Sequence, residues 1–155
     1  MMAEDFTVLL VEDSADDVFF MKRALTRTGA NVSVQVAEDG QAAIDYLSGE
    51  GQFADRGEFP LPRLILLDLR MPRLPGFQVL KWLRSKEQFD CLPVVVFSSS
   101  REETDMRKAY ALRANSFLVK TGDSSQLTAM VKTMVEYWLK HNDVPDACVE
   151  TAATH

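Results

Sequence analysis

Two short apolar runs in the sequence end in acidic side chains. Residues 8–11 (Val-Leu-Leu-Val) are followed by Glu12 and Asp13, and residues 64–67 (Leu-Ile-Leu-Leu) are followed by Asp68. Such runs are typical of strands buried on both faces of a parallel sheet. Ligands of open α/β sheets bind beyond the carboxyl ends of the strands, so the three carboxylates are expected to converge there. Crowded carboxylate oxygens need a cation, and the small hard ion Mg²⁺ fits them.

The acidic residues have a competing structural interpretation, in which each one caps a helix. Asp13 and Ser14 fit it in part, because Ser14 followed by Asp17 resembles a capping box. Asp68 does not fit it, since two prolines in residues 71–76 predict a loop, with no helix before about Gly76. Asp68 is therefore interpreted as a functional residue.

Two further apolar runs end in polar side chains of complementary chemistry. Ser98 follows residues 94–97, and Lys120 follows residues 116–119. Each is ordinary by itself, because serine often forms turns and lysine is usually solvated. Together with Asp68 they predict a phosphoryl site, because a carboxylate attacks phosphorus only when its repulsion from the incoming oxygens is offset by cations. The Ser98 hydroxyl and the Lys120 ammonium are then expected to bind oxygens of the transferred group.

The hydrophobic periodicity predicts five strands that alternate with five helices. The strands are expected at about residues 7–11, 32–36, 64–67, 94–97 and 116–119, and the helices at about residues 15–28, 41–48, 77–85, 104–112 and 125–140. This alternation indicates an α/β fold with a doubly wound parallel sheet. Val32, Val34 and Val36 alternate with polar residues, which places the second strand at the edge of the sheet.

The length and composition fit a single domain, with 155 residues of which 46% are hydrophobic. We expect residues 1–141 to form this domain and residues 142–155 to form a flexible C-terminal tail. The connection over residues 49–63 is long, and its glycines and prolines exclude a continuous helix. Phe53 and Phe59 are expected to attach it to the body of the domain.

The charge balance and hydropathy exclude several classes of partner. Seventeen basic and 23 acidic residues give a net charge of −6, which disfavours nucleic acid and anionic membranes. No apolar stretch approaches the roughly 20 residues of a membrane span, and no signal peptide is apparent. The protein is predicted to be cytoplasmic, with Cys91 and Cys148 as thiols.

The motifs together resemble those of the receiver domain of two-component response regulators. They are Glu12-Asp13, residues 68–72 with Gly76, Ser98-Ser99, and residues 117–120. The resemblance implies a flavodoxin-like (βα)5 fold with strand order 2-1-3-4-5. It also implies that Asp68 accepts a phosphoryl group from a sensor histidine kinase. The implied ligands of the Mg²⁺ ion are Glu12, Asp13, Asp68 and the backbone carbonyl of Arg70.

The resemblance further implies a two-state switch formed by Ser98 and Phe117. Ser98 would turn toward the phosphoryl group, and Phe117 would enter the space that Ser98 leaves. The face made by the fourth helix, fifth strand and fifth helix would then change shape. Phe117 has no phenolic oxygen, so its switching rests on packing.

Residues near the predicted site bear on the geometry of its last loop and on the lifetime of the phosphoryl group. Thr121 stands where the family commonly has proline, so the Lys120–Thr121 peptide is predicted to be either trans or strained. Arg70 and Ser100 lie where the family tunes the lifetime of the phosphoryl group. A large Arg70 that shields the site predicts slow autodephosphorylation, whereas a solvated Arg70 does not.

A narrower resemblance is to stand-alone regulators that pair with bacterial phytochrome kinases, based on the 49–63 connection and on Tyr137-Trp138-Leu139. It makes a bacterial phytochrome a candidate kinase. It also implies a homodimer through the face of the fourth helix, fifth strand and fifth helix, with Tyr110 and Trp138 in the contact. Trp138 has the alternative interpretation of covering the edge of the core.

Three other functions are compatible with parts of the pattern. The protein could be a phosphorelay shuttle to a histidine phosphotransfer protein. A phosphatase of the haloacid-dehalogenase type needs an acid two residues after the nucleophile, where Arg70 stands. A nucleotide-binding module needs a glycine-rich phosphate loop, which the sequence lacks. The favoured prediction is a signalling phosphoacceptor that catalyses its own phosphorylation and slow dephosphorylation, and not a classical enzyme.

Overall fold

The computed structural model describes residues 6–145 and contains five strands and five α-helices in alternation. The strands are β1 Phe6–Val11, β2 Val32–Ala37, β3 Leu64–Leu67, β4 Val94–Ser98 and β5 Ser116–Val119. The helices are α1 Ala15–Arg27, α2 Gly40–Ser48, α3 Gly76–Arg84, α4 Glu103–Ala111 and α5 Ser124–Val135. Single turns of 3₁₀ helix occupy Gly51–Phe53 and Glu87–Phe89, and a π-helical segment, Glu136–His141, follows α5.

The five strands form one parallel sheet in the order β2-β1-β3-β4-β5. This confirms the predicted flavodoxin-like fold and the predicted edge position of β2. Val11 pairs with Leu67, and Leu67 pairs with Val96. The carboxyl ends of the three central strands therefore lie side by side, and the residues that follow them share one edge of the sheet.

The central strands are buried on both faces, as their continuous apolar runs predict. Leu9 and Ile65 belong to a core that also contains residues of α2 and α3, whereas Val8 and Leu66 belong to a second core with α1 and α5. Successive strand residues point to opposite faces, so one run of four apolar residues supplies both cores. Burying each such side chain contributes about 1.5–3 kcal/mol, which makes β1, β3 and β4 a rigid base for the loops at their ends.

Three of the five α-helices, α1, α2 and α5, begin at side-chain caps, which orient the loops that precede them. The Ser14 hydroxyl accepts a hydrogen bond from the backbone N–H of Asp17, which is one half of the predicted capping box. The other half does not form, because the N–H of Ser14 donates to Glu12. Asp39 caps α2 in the same way, and Asp123 caps α5. A cap satisfies a backbone N–H that has no partner within the helix and typically contributes about 1 kcal/mol.

The prediction of one α-helix over residues 125–140 is wrong at its C-terminal end. The α-helix stops at Val135 and continues as the π-helical segment, where the N–H of Asn142 donates to the carbonyl of Tyr137 at 2.6 Å. A π turn contains one more residue than an α turn, but here the last residue of the predicted apolar stripe still faces the core. Within it Leu139 is buried, while 52% of Tyr137 is exposed.

The 49–63 connection packs on the domain through the two predicted phenylalanines. The rings of Phe53 and Phe59 lie 5.1 and 6.0 Å from that of Tyr46, centroid to centroid, and the Tyr46 hydroxyl donates to the carbonyl of Pro60. Arg56 donates to the carbonyls of Leu47 and Phe59. The connection is thus packed against the end of α2, a position compatible with either a binding loop or only a decorated connection.

The prediction that Cys91 is a thiol is wrong, because Cys91 is disulfide-bonded. The prediction rested on an assumed reducing compartment, in which cysteines stay as thiols. Cys148, and most of the tail predicted over 142–155, lie outside the described residues. Within residues 6–145, no helix is both long enough and apolar enough to cross a membrane.

Candidate functional site

The three predicted carboxylates meet at the carboxyl edge of the sheet. One oxygen each of Glu12, Asp13 and Asp68 lies within 4.8 Å of the other two. The pairing of Val11 with Leu67 explains the meeting, because the next residues of β1 and β3 leave the sheet together. Glu12 and Asp68 are buried and Asp13 is exposed, so the cluster opens to solvent on one side only.

The cluster has the chemistry of a divalent metal site. Mg²⁺ binds oxygen ligands at about 2.0–2.1 Å, so two oxygens on opposite sides of one ion are roughly 4.2 Å apart. The three carboxylate oxygens all lie within 4.8 Å of one another, so movements of the side chains alone would bring them to the contact distances of one ion. A site of three carboxylates that is partly open leaves room for waters, which Mg²⁺ retains. The residues present fit Mg²⁺.

Glu12 is the most constrained of the three acids. One carboxylate oxygen accepts hydrogen bonds from the backbone N–H groups of Asp13 and Ser14 at 3.0 and 3.3 Å, and the other accepts from the Lys120 ammonium. Burial raises the pKa of Glu12 to about 7; the hydrogen bond from Lys120 opposes this rise, and neighbouring Asp68 adds to it. The crowding of acids is thus unfavourable by itself, as expected of a site built for a cation.

Lys120 lies among three carboxylates. Its ammonium nitrogen is 2.7 Å from an oxygen of Asp17, 3.6 Å from an oxygen of Asp68, and in contact with Glu12. Burial alone lowers the pKa of Lys120, but the hydrogen bonds to Asp17 and Glu12 outweigh it and raise the pKa above its ordinary value. The lysine is therefore a permanent cation beside the phosphoacceptor that was predicted from sequence.

Asp17 is a site residue that the sequence analysis missed. It was considered only as part of a capping box, and its backbone N–H does bind Ser14. Its carboxylate, however, lies in the first turn of α1 and reaches Lys120. No local pattern in the sequence marks this contact, because 103 residues separate the two side chains.

Ser98 and Phe117 occupy the positions that the sequence predicts, on neighbouring strands. Ser98 ends β4, is fully buried, and its hydroxyl oxygen accepts the backbone N–H of Ser100 at 3.2 Å. Phe117 in β5 pairs with Val96 and packs, half-buried, against the core that contains residues of α2 and α3. The N–H of Lys120 donates to the carbonyl of Ser98 at 2.8 Å, which joins the ends of β4 and β5.

The loop after β5 is held without a proline. None of the peptide bonds described is cis, so of the two predicted alternatives the Lys120–Thr121 peptide is trans. The Thr121 hydroxyl donates to the side-chain carbonyl of Gln126 and accepts the N–H of Asp123. These bonds anchor the loop to the first turn of α5 and leave the Lys120 side chain at the acidic cluster.

A second set of polar contacts lies next to the site and was also missed. Asp105 in the first turn of α4 binds the guanidinium of Arg70 at 2.8 Å and the hydroxyl of Ser100 at 2.6 Å. These two partners hold the pKa of Asp105 below its usual value, with the Ser100 hydrogen bond as the larger cause. Nothing in the sequence pairs Arg70 with Asp105, because 35 residues separate them.

The fold and this edge of the sheet define a receiver domain. Residues 8–132 match the response regulator receiver domain family, and the chain belongs to this family. Receiver domains are signalling phosphoacceptors and not classical enzymes.

Individual relatives agree with this assignment. The chain is 38% identical over 144 residues to the probable methanogenesis regulatory protein FilR2 of Methanothrix harundinacea, covering 92% of this chain and 90% of FilR2. It is similar to the crystal structure of the phosphorylated cyanobacterial phytochrome response regulator RcpA, with a TM-score of 0.84 and 34% identity over 92% of this chain and 99% of RcpA. It is also similar to Mn²⁺-bound Rcp1 of Synechocystis, with a TM-score of 0.80 and 31% identity over 90% of this chain and 99% of Rcp1.

Proposed function

We propose that the protein is a response regulator in which Asp68 accepts a phosphoryl group from the phosphohistidine of a sensor kinase. The observation that carries the proposal is the convergence of Asp68 with two further acids and with Lys120, 3.6 Å away. In the transfer, an oxygen of the Asp68 carboxylate bonds to phosphorus while the phosphorus–nitrogen bond of the donor breaks. The imidazole takes the electron pair of that bond, and the aspartate becomes an acyl phosphate.

The other residues of the site stabilise charge during this transfer. Glu12, Asp13, Asp68 and the backbone carbonyl of Arg70 would hold Mg²⁺, which when bound neutralises oxygens of the phosphoryl group. Lys120 is held beside Asp68 by Glu12 and Asp17, so its ammonium meets the incoming oxygens without further ordering.

The phosphorylated state would be read out through β4 and β5. The Ser98 hydroxyl turns toward the phosphoryl group, and Phe117 moves into the vacated space. Ser98 is fully buried and Phe117 is only half-buried, which supports a motion in which the ring gains contacts. The face made by α4, β5 and α5 changes shape as a result.

A bacterial phytochrome is the kinase that we propose to test first. RcpA is by its name a phytochrome response regulator, and another similar structure is the bacteriophytochrome response regulator RtBRR, with a TM-score of 0.73 and 36% identity. The test measures the transfer of radiolabelled phosphate from a panel of autophosphorylated sensor kinases to this protein, with Asp68→Asn as the negative control. Transfer from other kinases in preference to phytochromes would refute this choice of partner.

Substituting Asp13 is expected to weaken Mg²⁺ binding without unfolding the protein. Asp13→Asn removes one of three carboxylate ligands, so we expect the affinity to fall by at least about tenfold. The Asp13 side chain is exposed, and it is not the side chain that caps α1. Calorimetric titration of Mg²⁺ measures the change.

Asp16→Asn is the matched control for the loss of charge, because Asp16 is an exposed acid of the same loop–helix junction outside the cluster. Equal loss of affinity in both variants would mean that net charge, and not ligation, governs binding.

We also propose that the protein forms a homodimer through the face of α4, β5 and α5. Tyr110 on α4 and Tyr137 after α5 are each 52% exposed, so both rings are available to a second copy of the chain. Trp138 is half-buried and packs against the core of α1 and α5, which supports its alternative role as a core cover. The tyrosines are therefore the better candidates for the contact.

Tyr110→Glu is expected to weaken this dimer by at least about tenfold, because the contact would have to bury a charge. Sedimentation velocity at micromolar concentrations, with and without phosphorylation, measures the effect. Phe19→Glu is the control, since Phe19 is 58% exposed but lies on α1. A wild-type monomer under both conditions would refute the dimer.

A further inference from the structure

A single carboxylate oxygen of Asp105 joins two loops of the site. The Arg70 guanidinium, from the loop after β3, lies 2.8 Å from Oδ2 of Asp105. The Ser100 hydroxyl, from the loop after β4, donates to the same oxygen at 2.6 Å. The Asp105 side chain is only 14% exposed, and its bond to Ser100 is partly buried, whereas the Arg70 side chain is 61% exposed and its ion pair is partly screened by solvent.

The two partners of Asp105 also bind the phosphoacceptor and the switch serine, through their backbones. The N–H of Arg70 donates to Oδ1 of Asp68 at 3.3 Å. The N–H of Ser100 donates to the hydroxyl oxygen of Ser98 at 3.2 Å. Each loop therefore makes two contacts. Its side chain binds Asp105, and its main chain binds a residue at the end of a strand. A displacement of Asp105 therefore affects the hydrogen bonds to Asp68 and to Ser98.

We propose that Asp105 is a positioning residue that latches the loops after β3 and β4 in the resting state and is released when Asp68 is phosphorylated. The proposal rests on the proposed function of Asp68. In the latched state the Ser98 hydroxyl is occupied by the N–H of Ser100. Turning the hydroxyl toward a phosphoryl group changes the side-chain torsion of Ser98 and moves its oxygen away from that N–H. Holding Ser100 in place thus opposes the switch.

Phosphorylation supplies a reason for the latch to open. Phosphorylation replaces the single negative charge of the Asp68 carboxylate by nearly two on the phosphoryl group, a net gain of about one, and the new oxygens compete with Asp105 for the Arg70 guanidinium. The Arg70 side chain is 61% exposed, so little packing opposes its movement. Once released, the Asp105 carboxylate remains in the first turn of α4, where the helix dipole favours an anion. The open state is therefore accessible at modest cost.

The test compares variants of Asp105 with a matched variant on the same helix. Asp105→Asn removes the charge, and Asp105→Ala removes both contacts. Glu103→Gln is the control, because Glu103 carries the same charge on α4 but pairs only with Arg107, four residues along the exposed surface. Two readouts are used on the full chain. They are amide hydrogen exchange of residues 69–75 and 99–104 without phosphodonor, and the rate of Asp68 phosphorylation by acetyl phosphate with Mg²⁺.

Both Asp105 variants are expected to exchange faster in the two loops and to be phosphorylated roughly three- to tenfold faster than wild type, with Glu103→Gln unchanged. Unchanged exchange, an equal effect of Glu103→Gln, or faster exchange without faster phosphorylation would each overturn the latch. A wild-type protein that acetyl phosphate fails to modify would instead refute the proposed function. Hydrogen exchange would then still decide whether Asp105 clamps the loops.

Discussion

Asp68→Asn is expected to abolish phosphorylation of the protein, a loss of at least about 100-fold in the amount of phosphoprotein formed. The amide of asparagine has nearly the shape of the carboxylate but is not a nucleophile, so no acyl phosphate forms. Its carbonyl oxygen can still accept the N–H of Arg70, which preserves the local hydrogen bond. Intact-protein mass after incubation with acetyl phosphate and Mg²⁺ measures the result as the gain of one phosphoryl group.

The control for this experiment is Asp16→Asn, which removes an exposed carboxylate at the start of α1 and should be phosphorylated like wild type. Phosphorylation of Asp68→Asn at a wild-type level would move the acceptor to another side chain and would refute the proposed function. Circular dichroism of both variants excludes unfolding as the cause of a loss.

The strands of this fold could be predicted because a strand buried on both faces appears in the sequence as an uninterrupted apolar run. β3 and β5 have the predicted bounds, and β1 and β4 each extend by one residue. In a parallel sheet covered on both faces, a central strand is almost entirely apolar, so the first charged residue marks the end of the strand. The same rule located the acidic cluster, because Glu12 and Asp68 are those first charges.

The contacts between loops could not be predicted in this way. Lys120 binds Asp17 across 103 residues, and Arg70 binds Asp105 across 35. Such pairs depend on where each loop leaves the sheet and on which rotamer reaches across, and neither has a local pattern in the sequence. Asp17 is an example. Its backbone N–H fits a helix cap, which gives the residue a structural role but does not predict that its carboxylate binds Lys120.

The C-terminal end of the last helix shows what hydrophobic periodicity cannot predict. The apolar stripe from Leu127 to Leu139 continues at helical spacing, and the sequence therefore predicts one regular helix. The structure widens the turn after Val135, and Leu139 remains buried beside the exposed Tyr137. Periodicity reports which residues face the core. It does not distinguish an α turn from a π turn that keeps the same residues inside.

Gly76→Ala is expected to destabilise the protein by about 2–4 kcal/mol and to disturb the phosphoacceptor at the same time. A Cβ atom at Gly76 would lie 2.3 Å from the backbone carbonyl oxygen of Asp68 and 2.9 Å from the Cα of Leu69. Both are main-chain atoms, so they cannot move aside as a flexible side chain could. The N–H of Gly76 also donates to the carbonyl of Leu69, which ties the start of α3 to the residue after Asp68.

Denaturant unfolding and Mg²⁺ titration of the same samples separate the two effects of Gly76→Ala. Gly122→Ala is the matched control, because a Cβ there meets nothing within 4 Å, and its stability should stay within about 0.5 kcal/mol of wild type. Since α3 can relieve the clash only by pushing the Asp68 backbone away, the folded fraction of Gly76→Ala should bind Mg²⁺ more weakly than Gly122→Ala. Wild-type stability and wild-type affinity in Gly76→Ala would show that the start of α3 does not set the position of Asp68.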